Sequence, residues 1–237
     1  MRAVAPCLLP REAGAPVGTV AGMDEQELRV LLGAQRAAAE ARQVTDAWRR
    51  IEAWLEAHAP GTLAALRPGA LVTEVAALQE RIGVRIPPGL KALWREHAGV
   101  HDLPWAAFLL GDWALMDFES VAEVYERMRD FHRRDGSEEC VIWRAAWIPV
   151  CSFTARDHTS GLFLDAETGR MHHWDRYGDR TPRYESLTTY LEEMADRLEA
   201  PSLMTGERPG LLDLRALVWG PPSDAGRAAA WEPFSEG

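Results

Sequence analysis

Three observations predict an α+β fold. Apolar residues recur at helical spacing toward both ends of the chain, short apolar runs cluster between residues 108 and 174, and glycine-bearing turns separate those runs at distances that suit antiparallel pairing. The expected architecture is an antiparallel sheet of about four to six strands packed against N-terminal and C-terminal helices. A chain of 237 residues with 47% apolar composition has enough hydrophobic surface for one good-sized core.

The elements follow in order. From Asp24 to His58 the spacing predicts helix, with Leu28, Leu31 and Leu32 as a first stripe and Val44, Trp48, Ile51 and Leu55 as a second, before Pro60-Gly61 ends it. Past a loop at Arg67-Pro68-Gly69, Thr73 is placed to cap a helix whose inner face is Val75, Leu78 and Ile82, with Gly83 as its C-terminal glycine. Val84 and Ile86 run extended because residues before proline disfavour the helical region. Pro88 suits the first turn of the next helix, in which Leu90, Leu93 and Trp94 face inward and Gly99 is the stop.

Phe108-Leu109-Leu110 reads as a strand. Ser120 and Glu123 form a capping-box pattern for a helix that buries Val121, Val124, Tyr125, Met128 and Phe131 and leaves Arg127, Arg129, Arg133 and Arg134 wet. Residues 146–153, 162–165 and 170–174 read as strands, the last two joined by Ala166-Glu167-Thr168-Gly169, whose final glycine suits a bulged hairpin. A closing helix spans residues 186–199. Residues 1–22 are expected to be a disordered leader, with Met23 as a candidate start, residues 23–200 the domain, and residues 201–237 a mobile C-terminal tail with one short element near Leu211–Trp219.

Charge narrows the function classes. A net charge of −10 is opposite to the clustered cations that phosphate backbones require, so no nucleic-acid partner is expected. No run of apolar residues is long enough for a membrane span, and Arg11-Glu12 interrupts any signal-like segment. Cys7, Cys140 and Cys151 make neither a CxxC pair nor an even disulfide framework, which fits a reducing cytoplasm. The only lysine is Lys91, and no Gly-Lys-Ser/Thr phosphate loop exists.

Several residues in combination carry a family resemblance. Trp48, Ile51 and Leu55, then Ile82-Gly83-Val84-Arg85-Ile86-Pro87-Pro88-Gly89-Leu90 with Leu93, Trp94 and Ala98-Gly99, resemble the opening helix and helix–proline–helix core of the SUKH superfamily. That group includes the fungal cell-wall-assembly-regulator domain and many bacterial immunity proteins. Trp147-Ile148-Pro149-Val150, the run Ser160-Gly161-Leu162-Phe163-Leu164-Asp165 with Gly169-Arg170, and Ser186-Leu187 with Tyr190-Leu191 resemble its later strands and closing helix. The likeness spans residues 44–199. One departure is Arg156-Asp157-His158-Thr159, where many relatives carry small, acidic and glycine residues and only Gly161 remains here.

No catalytic residue, cofactor or metal is expected. His97 and His101 are separated by Gly99, and His172-His173 on a strand face opposite sides, so neither pair is a ligand set. Cys151 near His158 is better read as a buried core thiol than as a nucleophile with its base. A metal- or Cys-dependent hydrolase is therefore the least favoured reading. The candidate protein-binding surface consists of aromatics with nearby acids: Trp105, Trp113 and Trp174 with Asp112, Asp117, Asp175 and Asp179, joined by Asp157 and His158 of the departing loop. The resemblance implies an immunity protein that neutralises a cognate toxin by direct binding, often a nuclease. An acidic surface further suggests a toxin with a basic active site. The alternative is a regulatory or scaffold protein without a toxin partner.

Overall fold

The computed structural model describes residues 24–203, 205–213 and 215–235; the expected leader and Met23 lie outside them. The chain divides between Gln35 and Arg36 into two units. Of the first unit the described part is Asp24–Gln35, where Asp24 Oδ1 accepts from Glu27 N at 2.7 Å and opens a helix. Leu28, Leu31 and Leu32 are exposed there, so the expected first stripe is not a buried face.

The second unit holds the core. Helix α1 (Glu25–His58) buries Val44, Trp48, Ile51 and Leu55, the expected second stripe, and is followed by the single turn α2 (Pro60–Leu63). Helix α3 (Val72–Ile82) begins one residue before Thr73. Its start is held by Glu74, whose Oε2 accepts from Leu71 N at 2.7 Å, so the expected Thr73 cap is replaced by a first-turn carboxylate. Gly83 closes α3 at φ 67°, left-handed as a C-terminal glycine requires. Helix α4 (Pro88–Glu96) starts on Pro88 and buries Leu90, Leu93 and Trp94.

Six strands follow in sequential antiparallel order: β1 (Ala107–Leu109), β2 (Trp113–Leu115), β3 (Trp147–Ser152), β4 (Ser160–Asp165), β5 (Met171–Asp175) and β6 (Pro182–Tyr184). Helix α5 (Phe118–Asp135) links β2 to β3, and α6 (Leu187–Glu199) follows β6. Asp117, not Ser120, caps α5 by accepting from Ser120 N at 2.9 Å, so the helix opens earlier than the capping-box pattern suggests. Strands β2 and β6 are only three residues each, too short to show a period in sequence. Gly169 has φ 76° in the β4–β5 turn, as the hairpin reading requires.

The pairing of β3 with β4 depends on a close approach. A Cβ on Gly161 would lie 1.9 Å from the Cys151 carbonyl oxygen, a backbone atom that cannot swing away. On one face of this pair a ring ladder forms: Trp147 stacks on Phe163 at 4.6 Å, Phe163 on His172 at 5.0 Å, and Trp143 meets Phe163 at 5.0 Å and Trp174 at 5.9 Å. Trp143 donates from Nε1 to the Trp147 carbonyl at 2.9 Å, which holds the segment before β3 against the sheet.

Among its described residues the expected mobile tail is instead folded. Residues 208–233 form a second antiparallel sheet, β7 (Arg208–Leu212), β8 (Ala216–Gly220) and, after helix α7 (Ala225–Ala230), β9 (Glu232–Pro233), in the order β8-β7-β9. Leu217 and Trp219 belong to the main core, and Trp219 Nε1 donates to the Phe108 carbonyl at 2.8 Å. Leu217 N donates to the buried Thr62 hydroxyl at 2.8 Å, and Phe234 meets Trp54 edge-on at 4.9 Å. The Pro/Gly-rich composition of this segment masks two strands whose apolar residues are completed by partners far away in sequence.

Trp219→Ala removes a fully buried indole and is expected to cost about 3–5 kcal/mol of the stability of the whole domain. Urea unfolding measures it. A loss under about 1 kcal/mol, the usual range for surface changes, would show that this segment is not part of the core.

Candidate partner-binding site

Three segments converge beside the β3–β4–β5 ladder. Helix α5 carries Arg127, Met128 and Phe131 on neighbouring positions of one side. Its capped first turn fixes where these residues lie, because each successive turn places side chains three and four residues apart together.

The second segment is the β3–β4 loop. Thr154 Oγ1 accepts from Asp157 N at 2.8 Å, and Asp157 Oδ1 accepts from Thr159 N at 2.9 Å and from the Thr159 hydroxyl at 2.6 Å. These bonds from Thr159 hold the Asp157 carboxyl below its usual range. His158 is used locally, with Nε2 3.1 Å from the Ala155 carbonyl.

The third segment is the β5–β6 loop, where Asp175 Oδ1 accepts from Tyr177 N at 2.8 Å and Asp179 N at 2.9 Å. Asp179 turns back to His173 Nδ1 at 2.6 Å, and that bond depresses its carboxyl. Arg180 donates to the carbonyls of Ile142 at 3.1 Å and Asp175 at 3.0 Å, and also to its neighbour Asp179, with its guanidinium 5.5 Å from the Trp143 ring centre. Burial pushes its pKa down, as expected for a cation drawn out of water.

These segments enclose a cavity of about 830 Å³. Trp174, 1% exposed, lines it from the core side together with Met128 and Ile142, and Phe131 and Tyr177 stand at 40% and 82% exposure. Phe131 is thus not the core residue that the helical pattern suggests. A space of this size with mainly apolar walls and a few converging polar groups is the usual form of a binding pocket.

The structure brings four of the nine expected site residues together: Asp157, His158, Trp174 and Asp175 line the cavity. Asp179 sits behind them on His173, whose ring is 5.6 Å from that of Trp113. The other three lie elsewhere. Trp105 is packed against the core, with its indole nitrogen buried and unpaired. Asp117 caps α5 and pairs with Arg67 at 3.0 Å. Asp112, in left-handed backbone at φ 58°, lies toward the second sheet, near Trp219 and Glu207.

Sequence reasoning missed the arginines. Arg127, Arg156, Arg176 and Arg180 all line the cavity. Arg176 and Arg180 fall in the mixed-charge run Asp175–Arg180, which reads equally well as a solvated loop; Arg127 reads as a wet helix position and Arg156 as part of the departing loop, neither as a binding residue.

The histidine and cysteine expectations have clear local outcomes. His172 stacks on Phe163, whereas His173 bonds Asp179, so the two part as strand neighbours do. Cys151 is fully buried, and desolvation raises its thiol well above the ordinary range, which disfavours the thiolate a nucleophile needs. Among the described residues no three His, Cys, Asp or Glu side chains converge as metal ligands.

Asp112 makes stability depend on pH. Burial first, and the nearby Glu207 second, push its carboxyl up to about 6. The folded state therefore holds this proton more tightly than the unfolded chain. The contribution is fully present below the unfolded value near pH 4 and is lost as pH rises through about 6. Asp112→Asn keeps a residue tolerant of left-handed backbone and removes the buried charge. It is expected to stabilise the protein by about 1 kcal/mol at pH 7, after allowance for solvent screening, with the gain shrinking toward zero near pH 4. Urea unfolding at the two pH values measures this, and an equal effect at both would refute the assignment.

A comparison with protein families matches residues 69–193, more than half of the chain, to the SMI1/KNR4 family (SUKH-1). No curated protein matches the chain. The matched span runs from the loop before α3 into α6 and so takes in the helix pair, α5 and the six-stranded sheet, while β7–β9 lie beyond it. The helix–proline–helix core, the ordered antiparallel strands and this match agree: the chain belongs to the SMI1/KNR4 (SUKH-1) family.

Proposed function

We propose that this protein is a non-enzymatic binding module that acts as an immunity protein and neutralises a cognate toxin by direct contact. The observation that carries the reading is the cavity between α5 and the two loops. It is braced by hydrogen bonds within its own loops, and it includes the Arg156–Thr159 segment that the sequence resemblance marks as a departure from the family's pattern. A family whose members share a core and differ in such loops can direct one scaffold to different partners. The family is in general one of immunity-type and regulatory domains without catalysis, which favours binding over turnover.

The proposed setting is the cytoplasm. Cys140 and Cys151 are free thiols, and among the described residues no helix is long and apolar enough to cross a membrane.

Co-expression with the product of the adjacent gene tests the proposal. Rescue of growth together with co-purification of the two proteins is expected. Co-purification without any effect on growth would favour the regulatory or scaffold reading, and loss of both would sink the immunity role.

A further inference from the structure

We infer that the cavity receives an acidic, aromatic-bearing segment of a protein partner, with carboxylates on Arg127, Arg176 and Arg180 and an apolar side chain against Met128, Ile142 and Trp174. This rests on the binding-module reading above and names the chemistry of its occupant.

Charge is the first argument. The chain as a whole carries −10, yet four arginines and two aspartates line this cavity. Both aspartates are committed to backbone amides of their own loops. Arg156 pairs with Asp102. Among the described residues, Arg127, Arg176 and Arg180 make no ion pair: Arg127 reaches the His158 carbonyl at 3.3 Å, Arg176 the Tyr177 hydroxyl at 2.9 Å, and Arg180 only carbonyls. Arg180, partly buried, keeps its guanidinium on carbonyls with no carboxylate in ion-pair contact, so an incoming carboxylate gains a charge-assisted bond there at little further desolvation cost, and Arg127 and Arg176 add attraction from exposed positions.

Shape is the second. A small anion would use only the interior. Here Tyr177 and Phe131 stand exposed at the rim, each with an arginine 5.0 Å from its ring centre, Arg176 and Arg134 respectively. Exposed aromatics and arginines together are enriched at protein-recognition surfaces, and a polypeptide can cover both the hollow and these flanking rings. The expected partner with a basic active site does not suit this face, because its cations would meet four arginines against two aspartates already bonded within their own loops.

The test uses the full chain labelled with ¹⁵N and titrated with the capped peptide acetyl-Asp-Phe-Glu-Phe-Asp-amide. Saturable shifts confined to residues 127–131, 154–159 and 174–180 are expected, weakening at least fivefold between 50 and 300 mM salt. The variant Arg127→Glu/Arg176→Glu, with its fold checked by its own spectrum, is expected to bind at least tenfold more weakly. Equal binding of the Asn/Gln analogue of the peptide, no saturable shift at 10 mM peptide, or tighter binding of adenosine monophosphate than of the peptide would each overturn the inference. Its failure is separable from that of the immunity role: growth rescue by the wild type with full rescue by the double variant leaves the role standing and removes this face from it.

Discussion

The strands that carry the loops around the cavity, β3 and β4, come together more closely than any side chain at residue 161 would allow. Gly161 lies against the Cys151 carbonyl, and a methyl group there would sit 1.9 Å from that oxygen. With the pair closed, Trp147, Phe163 and His172 stack in one layer across three strands, and Trp143 and Trp174 meet edge to face beside them. Both loops that bound the cavity leave the ends of these strands. Their position is therefore set by ring packing in the core, and their shape by aspartate and threonine side chains that take up their own backbone amides. The cavity thus sits on a packed base, and a surface held in this way has a low ordering cost if it binds.

Charge in this molecule is divided by use more than by number. Many of the acids in this part of the chain are engaged: Asp117 holds a helix start and Arg67, Asp102 holds Arg156, and Asp157 and Asp175 hold loop amides. A net negative chain can thus carry a locally positive hollow. The overall balance governs solubility and long-range attraction, whereas short-range recognition depends on which charges remain without a partner.

Much of the fold was legible in the residues. The second stripe of α1, the Gly83 cap, the Pro87-Pro88 turn and the three long strands all rest on local rules of spacing, left-handed glycine and proline geometry, and the structure follows them. Departures occur where a distant or neighbouring group outcompetes the local signal. Asp117 displaces Ser120 as the cap of α5, Glu74 replaces Thr73 at α3, and β7–β9 draw on Thr62 and Phe108 for bonds that composition alone does not reveal. The candidate site was legible in part. The departing loop and Trp174 were visible in the sequence, but nothing local told Trp174, a core residue that also walls the cavity, from Trp105, which packs against the core away from it.

The sequence by itself determined the α+β class, the order of the main elements and the family, because periodicity and turn chemistry act over a few residues and survive without their surroundings. Tertiary structure alone decided the site. Whether an arginine is neutralised depends on a carboxylate such as Asp102, 54 residues from Arg156, and whether an aromatic is core or rim depends on what the folded chain lays over it. Ion pairing and burial are properties of neighbours in space, and only the folded chain supplies those neighbours.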